Sequence, residues 1–278
     1  MPLEPISLRG FKDPGLLEAE RTVVEAVRRD PEIFIARYLK FEQSFGGRYV
    51  NSDLFKETFA VYAGSRESRT RYNTVVHNSA AVLAAEQFRR ILADKREPER
   101  DTAVFLTGIP GAGKTSIVMA NGKLAPEYHV IFEGQLATPA TSIAKIRQAI
   151  DAGLRPIIVV VHTKPEAALE NTFRRFDKVG RGASIAAMSN IQGGLPDGLA
   201  AVHRHFGDTV ALQIIDKRNI LKTEMLEGWN SLGILGSEGD REQIRQRLEA
   251  ALDQSRAAGS ISDACWRQAA GLAPLDRA

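Results

Sequence analysis

The most specific chemistry in the chain lies in eight residues, Gly108-Ile109-Pro110-Gly111-Ala112-Gly113-Lys114-Thr115, a complete G-x-x-x-x-G-K-[ST] spacing directly after the apolar run Thr102–Thr107. A loop that turns several backbone N–H groups toward one anion needs unusual φ values, and Gly108, Gly111 and Gly113 adopt them at no steric cost. A lysine in the seventh place reaches the β- and γ-phosphates, and the hydroxyl after it binds Mg²⁺. Residues 108–115, with Ser116 behind them, are therefore the expected nucleotide-binding set. Lys114 is the expected catalytic cation, Thr115 the expected Mg²⁺ ligand, and ATP or GTP with Mg²⁺ the expected cofactors. The rival reading is a Gly-rich turn that binds nothing; the strand before it and the helix after it speak against that.

Phosphoryl transfer to a hydroxyl also needs a carboxylate to deprotonate the acceptor and cations to meet the charge that spreads on the γ-phosphate. In parallel α/β sheets such groups sit just beyond the carboxyl ends of strands. Asp53, Glu133 and Asp216 stand at such places. Asp53 is the expected catalytic base, with an N-cap on the following helix as an alternative compatible with it. Glu133 reads as a substrate or metal-shell carboxylate, or as an ordinary loop acid. Arg174, Arg175 and Arg181 read as a phosphate-directed lid, or as solvated cations at a helix C-terminus. His162-Thr163 follows the most apolar strand where an ATPase carries an Asp, so activation of water is not indicated.

These residues must be positioned by strands and helices in alternation. Residues 15–44 show two helical stripes, Leu16, Leu17, Val23, Val24 and Val27, then Ile33, Ile35, Tyr38 and Leu39, broken at Asp30-Pro31. Gly46-Gly47 leads into a short strand over 48–53, and a long helix is expected over 71–93. Further strands are expected at 129–132, 156–161 and 209–215. Helices are expected from Thr138-Pro139 to Gly153, from a Thr163–Glu166 capping box to Lys178, and as an amphipathic pair over 239–271. This is an α/β pattern: a P-loop NTPase- or kinase-like, doubly wound parallel sheet of about five strands with additional N- and C-terminal helices. The expected organisation is an N-terminal helical extension at 1–47, a kinase core at 48–235 with a lid over about 174–195, and C-terminal helices at 236–278 packed on the core.

Of the 278 residues, 44% are hydrophobic, enough for a sizeable core, and 37 Lys+Arg against 34 Asp+Glu leave a net charge of +3, too mild to indicate nucleic acid. Arg66, Arg69 and Arg71 near Tyr72 read as a solvated loop, so direct nucleic-acid binding is not expected. Cys265 is the single cysteine, which excludes an internal disulfide. The start lacks a signal-peptide pattern and no apolar run is long enough to span a bilayer, so a cytoplasmic protein without a membrane partner is expected.

Taken together, residues 129–181 (His129-Val-Ile-Phe-Glu133-Gly through Val161-His-Thr-Lys-Pro-Glu166, Thr172-Phe-Arg-Arg175-Phe and Gly180-Arg181), the phosphate loop and Asn51-Ser-Asp53-Leu-Phe55-Lys56 resemble the zeta-toxin kinases of bacterial toxin–antitoxin modules. The resemblance implies that Asp53 is the base, that Glu86 and Glu133 bind substrate, and that Arg175 and Arg181 are the lid arginines. Tyr62 is placed with Glu86 and Glu133 on the substrate side. It further implies a kinase acting on UDP-N-acetylglucosamine, whose 3′-phosphorylation would block cell-wall precursor use. An antitoxin is the implied partner, with residues 15–44 as a docking face. Two departures stand out. Asp53 precedes Lys114, whereas the family places its Asp motif after the loop, so one strand-helix unit is permuted. Gln135 replaces a Thr, Lys56 an Arg, and no His-Pro follows Phe55, all on the acceptor side. The alternatives are a kinase of another metabolite, a dinucleotide or nucleoside, and a regulatory ATP-binding protein without an acceptor.

Overall fold

A computed structural model describes residues 3–219 and 221–272; residues 1 and 2 of the expected N-terminal extension and 273–278 of the expected C-terminal segment lie outside the described residues. Six strands form among the described residues: β1 Tyr49–Asn51, β2 Thr102–Thr107, β3 Tyr128–Glu133, β4 Arg155–His162, β5 Ala211–Asp216 and β6 Glu224–Glu227. The chain folds as two compact units, the first formed by the chain through Asp101 with Lys123–Glu133, the second by Thr102–Gly122 with the chain from Gly134 onward.

The first unit begins with α1, Pro14–Arg29, and α2, Pro31–Leu39. Both open with the same device, an Asp cap followed by proline in the first helical position: Asp13 accepts from Leu16 N at 2.8 Å and Asp30 from Ile33 N at 3.3 Å. Val23, Val24 and Val27 are buried as the periodicity requires. On α2 the phase is different from the expected one. Phe34, Ile35 and Tyr38 take the inner face, while Ile33 and Leu39 are 47% and 42% exposed. The two aromatic side chains bury the most area, and they set the rotation of a helix too short to bury both sides.

Phe45, Gly46 and Gly47 all have positive φ and turn the chain into β1. At Gly47 a Cβ would lie 2.3 Å from the Gln87 amide nitrogen, which donates to the Gly47 carbonyl at 3.2 Å, so this close approach admits no side chain. β1 pairs in parallel with β3, with Tyr49 opposite Ile131 and Asn51 opposite Glu133. It is followed by α3, Ser52–Lys56, α4, Ala60–Ala63, α5, Arg66–Tyr72, and α6, His77–Ala93. The helix expected from Arg71 thus starts only at His77. The arginine run read as a loop is the helix α5, capped by Ser65 on Ser68 N, with Arg69 paired to Glu57 at 2.8 Å.

The Tyr38 hydroxyl secures β1: it donates to the Tyr49 carbonyl at 2.5 Å and accepts from Asn51 N at 3.1 Å, while its ring stacks on Phe55 at 3.7 Å. Both of those β1 backbone groups therefore have a buried partner.

In the second unit β2, buried along its whole length, pairs in parallel with β4, and β4 with β5, ending at His162 opposite Asp216. β6 runs antiparallel to β5. Its residues are largely exposed, so no hydrophobic pattern announced it. The helices are α7, Lys114–Met119, α8, Pro139–Asp151, α9, Pro165–Val179, α10, Ile185–Phe206, α11, Arg241–Ala257, and α12, Asp263–Ala269. The α/β class with parallel strands and helices is thus as expected, with one antiparallel strand added.

Two local expectations change. The stretch from 185 to 195, expected in a lid, is the first half of the 22-residue α10, which leaves only 180–184 irregular between α9 and α10. Its glycines permit packing rather than turning: a Cβ at Gly198 would lie 1.9 Å from the Leu136 carbonyl oxygen. The Thr163 capping box is also absent. Lys164 is the cap residue, without a side-chain cap bond, and Glu166 pairs instead with Arg247 of α11, Nε to Oε1 at 2.6 Å.

Tyr38→Phe keeps the stack on Phe55 and removes the hydroxyl that serves β1. Unfolding in urea should show a loss of about 1–3 kcal/mol, the cost of leaving buried polar groups unpaired; an unchanged midpoint would mean that β1 is held by other contacts.

Candidate functional site

In the first unit the residues expected on the acceptor side are arranged around Asn51, which is almost fully buried. Its Oδ1 accepts from Asp53 N at 2.7 Å and Leu54 N at 3.2 Å, so Asn51 is the cap of α3. Its Nδ2 donates to the Tyr49 hydroxyl at 2.8 Å and to Glu133 Oε2 at 3.0 Å. The Tyr49 hydroxyl donates to the same Glu133 oxygen. One amide side chain therefore orients both the helix that carries Asp53 and the carboxylate of Glu133. The capping role considered for Asp53 belongs to Asn51, and the Asp53 carboxylate instead pairs with Lys56 Nζ at 3.0 Å. The Lys56 side chain is 4% exposed and also donates to Asn73 Oδ1 at 2.9 Å.

Glu86 and Tyr62 are placed differently from these. Glu86 is buried on α6, and its carboxylate accepts from Arg89 at 2.9 and 2.7 Å and from Arg90 Nε at 2.6 Å. Burial alone would raise its pKa, but the two guanidinium groups together hold it below the usual carboxylate range. Arg90 continues to Glu32 at the start of α2. The two arginines thus engage both oxygens of Glu86, Oε1 twice and Oε2 once. Tyr62 is fully buried on α4, with the Arg69 guanidinium 6.0 Å from its ring centroid. Its ring packs the interior of the first unit.

In the second unit the loop from Gly108 to Thr115 leaves β2 with the glycine conformations its spacing requires, φ 138° at Gly108 and 88° at Gly111 and Gly113. Close contacts add a second constraint. A Cβ at Gly108 would lie 2.4 Å from the Val161 carbonyl oxygen, and one at Gly111 2.2 Å from that of Ala168. Asn171 of α9 donates to the Gly111 carbonyl at 2.9 Å. The loop is thereby pressed between the end of β4 and the first turns of α9. Lys114 Nζ donates to the Gly108 and Ile109 carbonyls at 2.9 and 3.2 Å, which holds the ammonium over the loop. Ile109 and Ala112 are buried and anchor the loop, whereas Pro110 is partly covered, and Thr115 and Ser116 are exposed at its exit. This cradle suits a phosphate chain, and the exposed Thr115 hydroxyl is the group available to Mg²⁺. Among the described residues no group of three or more His, Cys, Asp or Glu converges as a metal cage.

Arg175 Nε donates to the Arg181 carbonyl at 3.0 Å and its Nη2 to that of Gly182 at 3.3 Å. The two expected lid arginines are thus brought together, the first holding the backbone of the segment that carries the second. Asp216, at the end of β5, is fixed by Arg218, which contacts both carboxylate oxygens at 2.8–3.2 Å and donates its backbone N at 3.0 Å. These bonds hold the Asp216 carboxyl below its ordinary pKa.

The sequence reading did not assign roles to Asn51 and Tyr49. A signal was present for the first, since Asn is a preferred cap and stands just before an acidic first turn. Nothing in the order of residues marks Tyr49, whose contact with Glu133 exists through β1–β3 pairing.

Residues 123–224 match the family model described as Zeta toxin. Among solved structures, a chain from the PezAT chromosomal toxin–antitoxin system of Streptococcus pneumoniae is similar at 12% identity, covering 89% of this chain and 98% of that one, with a TM-score of 0.44. No curated protein matches the chain in sequence. No helix among the described residues is long and apolar enough to cross a membrane.

His77, at the start of α6, has its pKa pushed down to about 4, first by burial and then by the charges of Lys56 and Arg9, against a smaller opposing pull from Asp53. Its pKa is near 6.5 in an unfolded chain, so protonation favours unfolding, and the stability owed to neutral His77 is complete above pH ~6.5 and lost as pH falls toward 4. His162 shifts in the same direction by burial. Urea unfolding between pH 7 and 5, above the carboxylate range, should show falling stability, and His77→Asn should flatten part of that slope. An identical slope in the variant would refute the assignment.

Proposed function

We propose, from the match of residues 123–224 to the zeta-toxin family, that this chain is a P-loop kinase that transfers the γ-phosphate of ATP or GTP to a hydroxyl of a small acceptor. The observation that carries the reading is the division of labour at α3: Asn51 caps the helix, so the Asp53 carboxylate is not spent on the helix start. A carboxylate in the first turn of a helix that another side chain caps suits a general base.

In the reaction the acceptor hydroxyl gives its proton to Asp53 as its oxygen bonds to the γ-phosphorus; the bond from that phosphorus to the β–γ bridging oxygen breaks, and the nucleoside diphosphate leaves. Lys114 and the loop N–H groups hold the β- and γ-oxygens. Thr115 would hold Mg²⁺, which would supply neutralisation of charge on the phosphate chain. Arg181 meets the transferring group, and Arg175 keeps the segment of Arg181 in place through its two carbonyl contacts. Glu133, oriented by Asn51 and Tyr49, binds the acceptor. By family resemblance the acceptor is UDP-N-acetylglucosamine and the protein the toxin of a toxin–antitoxin module. The exposed Ile33 and Leu39 of α2 support a docking face for the antitoxin within residues 15–44.

Lys56 and Gln135 at positions where the family differs favour a second reading, the same chemistry on a dinucleotide or nucleoside. A regulatory ATP-binding protein without an acceptor would bind nucleotide and phosphorylate nothing. Mass spectrometry of a metabolite extract incubated with the protein, Mg²⁺ and labelled ATP separates the three: phosphate on the UDP-sugar supports the first, phosphate only on another compound the second, and none the third.

Asp53→Asn should retain nucleotide affinity and lose transfer by about 10²–10⁴-fold, the usual worth of a positioned base. Transfer at the wild-type rate in that variant would remove Asp53 from the chemistry.

A further inference from the structure

Lys217 follows Asp216 at the end of β5, and no role in the proposed kinase falls to it. Its ammonium lies 3.2 Å from where a Cβ at Gly113 would stand, so it rests directly against the phosphate loop. The φ of 88° at Gly113 favours glycine, and the ammonium lies beside the space that a side chain there would enter. The backbone of Lys217 is fixed, since its N–H donates to the His162 carbonyl at 2.7 Å where β4 and β5 end side by side.

The neighbouring charges do not neutralise it. Asp216 is engaged on both oxygens by Arg218, and Arg218 reaches Ser237 at 2.5 Å and lies 3.9 Å from Glu238. Among the described residues Lys217 has no ion pair. A half-buried ammonium that rests against this loop without a carboxylate partner is placed to pair with an anion. Lys114 holds the opposite end of the same loop, over Gly108 and Ile109. Two ammonium groups along one loop call for a ligand whose negative charges are spread along a chain, as in a nucleoside di- or triphosphate.

We propose that Lys217 is a second phosphate-binding cation of this loop, serving the stretch of the phosphate chain beside Gly113 while Lys114 serves the β/γ end. The assignment rests on the reading of residues 108–115 as a nucleotide site, and not on the acceptor or on transfer. It makes the turn after β5 part of the nucleotide site and gives Arg218 the task of occupying Asp216 so that Lys217 faces the loop.

Isothermal titration of the full chain with MgADP, MgATP and magnesium tripolyphosphate tests it. Lys217→Met should weaken all three by about 10- to 100-fold, the worth of one charge-assisted hydrogen bond. Lys217→Arg should recover part of the loss. The slope of log affinity against log salt should also fall in Lys217→Met, a change that a merely structural role would not produce. Unchanged affinity in Lys217→Met, with melting temperature preserved, overturns the assignment. So does a loss seen with ATP but not with tripolyphosphate, since the side chain would then be reading the nucleoside. Failure of the wild-type chain to bind any of the three overturns the nucleotide site itself, which distinguishes that outcome from the failure of Lys217 alone.

Discussion

A strand of three residues has too few ladder hydrogen bonds to hold its place, and β1 depends on a side chain from α2 to do so. The Tyr38 hydroxyl satisfies a carbonyl at one end of β1 and an N–H at the other, in a buried site where an unpaired group would cost about 1–3 kcal/mol. Burial and the nearby Glu133 raise the pKa of that hydroxyl, so it remains a proton donor at any physiological pH. From this contact the arrangement of the first unit follows. With β1 fixed beside β3, Asn51 stands opposite Glu133, and its amide can cap α3 on one side and orient the carboxylate on the other. The helices of residues 14–39 are therefore structurally continuous with the segment that carries Asp53.

The second unit holds its loop by contact rather than by a shared side chain. Carbonyl oxygens of Val161 and Ala168 occupy the space that side chains at Gly108 and Gly111 would need. Behind the strand ends, Asp216, Arg218, Glu238, Arg247 and Glu166 form a chain of ion pairs that reaches from β5 to α9 and α11. Half-buried pairs of this kind add little net stability, because desolvation offsets most of the Coulomb attraction. Their value lies in geometry: each holds a charged group of β5, α9 or α11 or of the turns beside them in one direction.

Where the chain could be read correctly, a physical rule acted between near neighbours. The turn after β2 follows from the spacing of Gly108, Gly111 and Gly113; the break at Asp30-Pro31 from proline's fixed φ; the parallel strands from unbroken apolar runs such as Ile157–Val161. Misreadings arose where a distant backbone changed the meaning of a residue. Residues 185–195, expected in a lid, lie within α10, where Ala137, Leu136 and Arg241 pack against Gly193, Gly194 and Gly198. Glu166 has the spacing of a capping box, but Arg247, 81 residues away, offers it a stronger partner than a backbone N–H.

The order of residues thus determined that the chain is a parallel α/β protein with a glycine turn after β2, because backbone conformation and periodicity are local properties. The assignment of particular side chains was a matter of tertiary contact. Asn51 rather than Asp53 caps α3, Arg175 holds the backbone of residues 181 and 182, and Glu86 is held by Arg89 and Arg90. Each depends on distances and burial that arise only once the strands and helices have packed, since a charged or amide group takes whichever partner folding brings within about 3 Å of it.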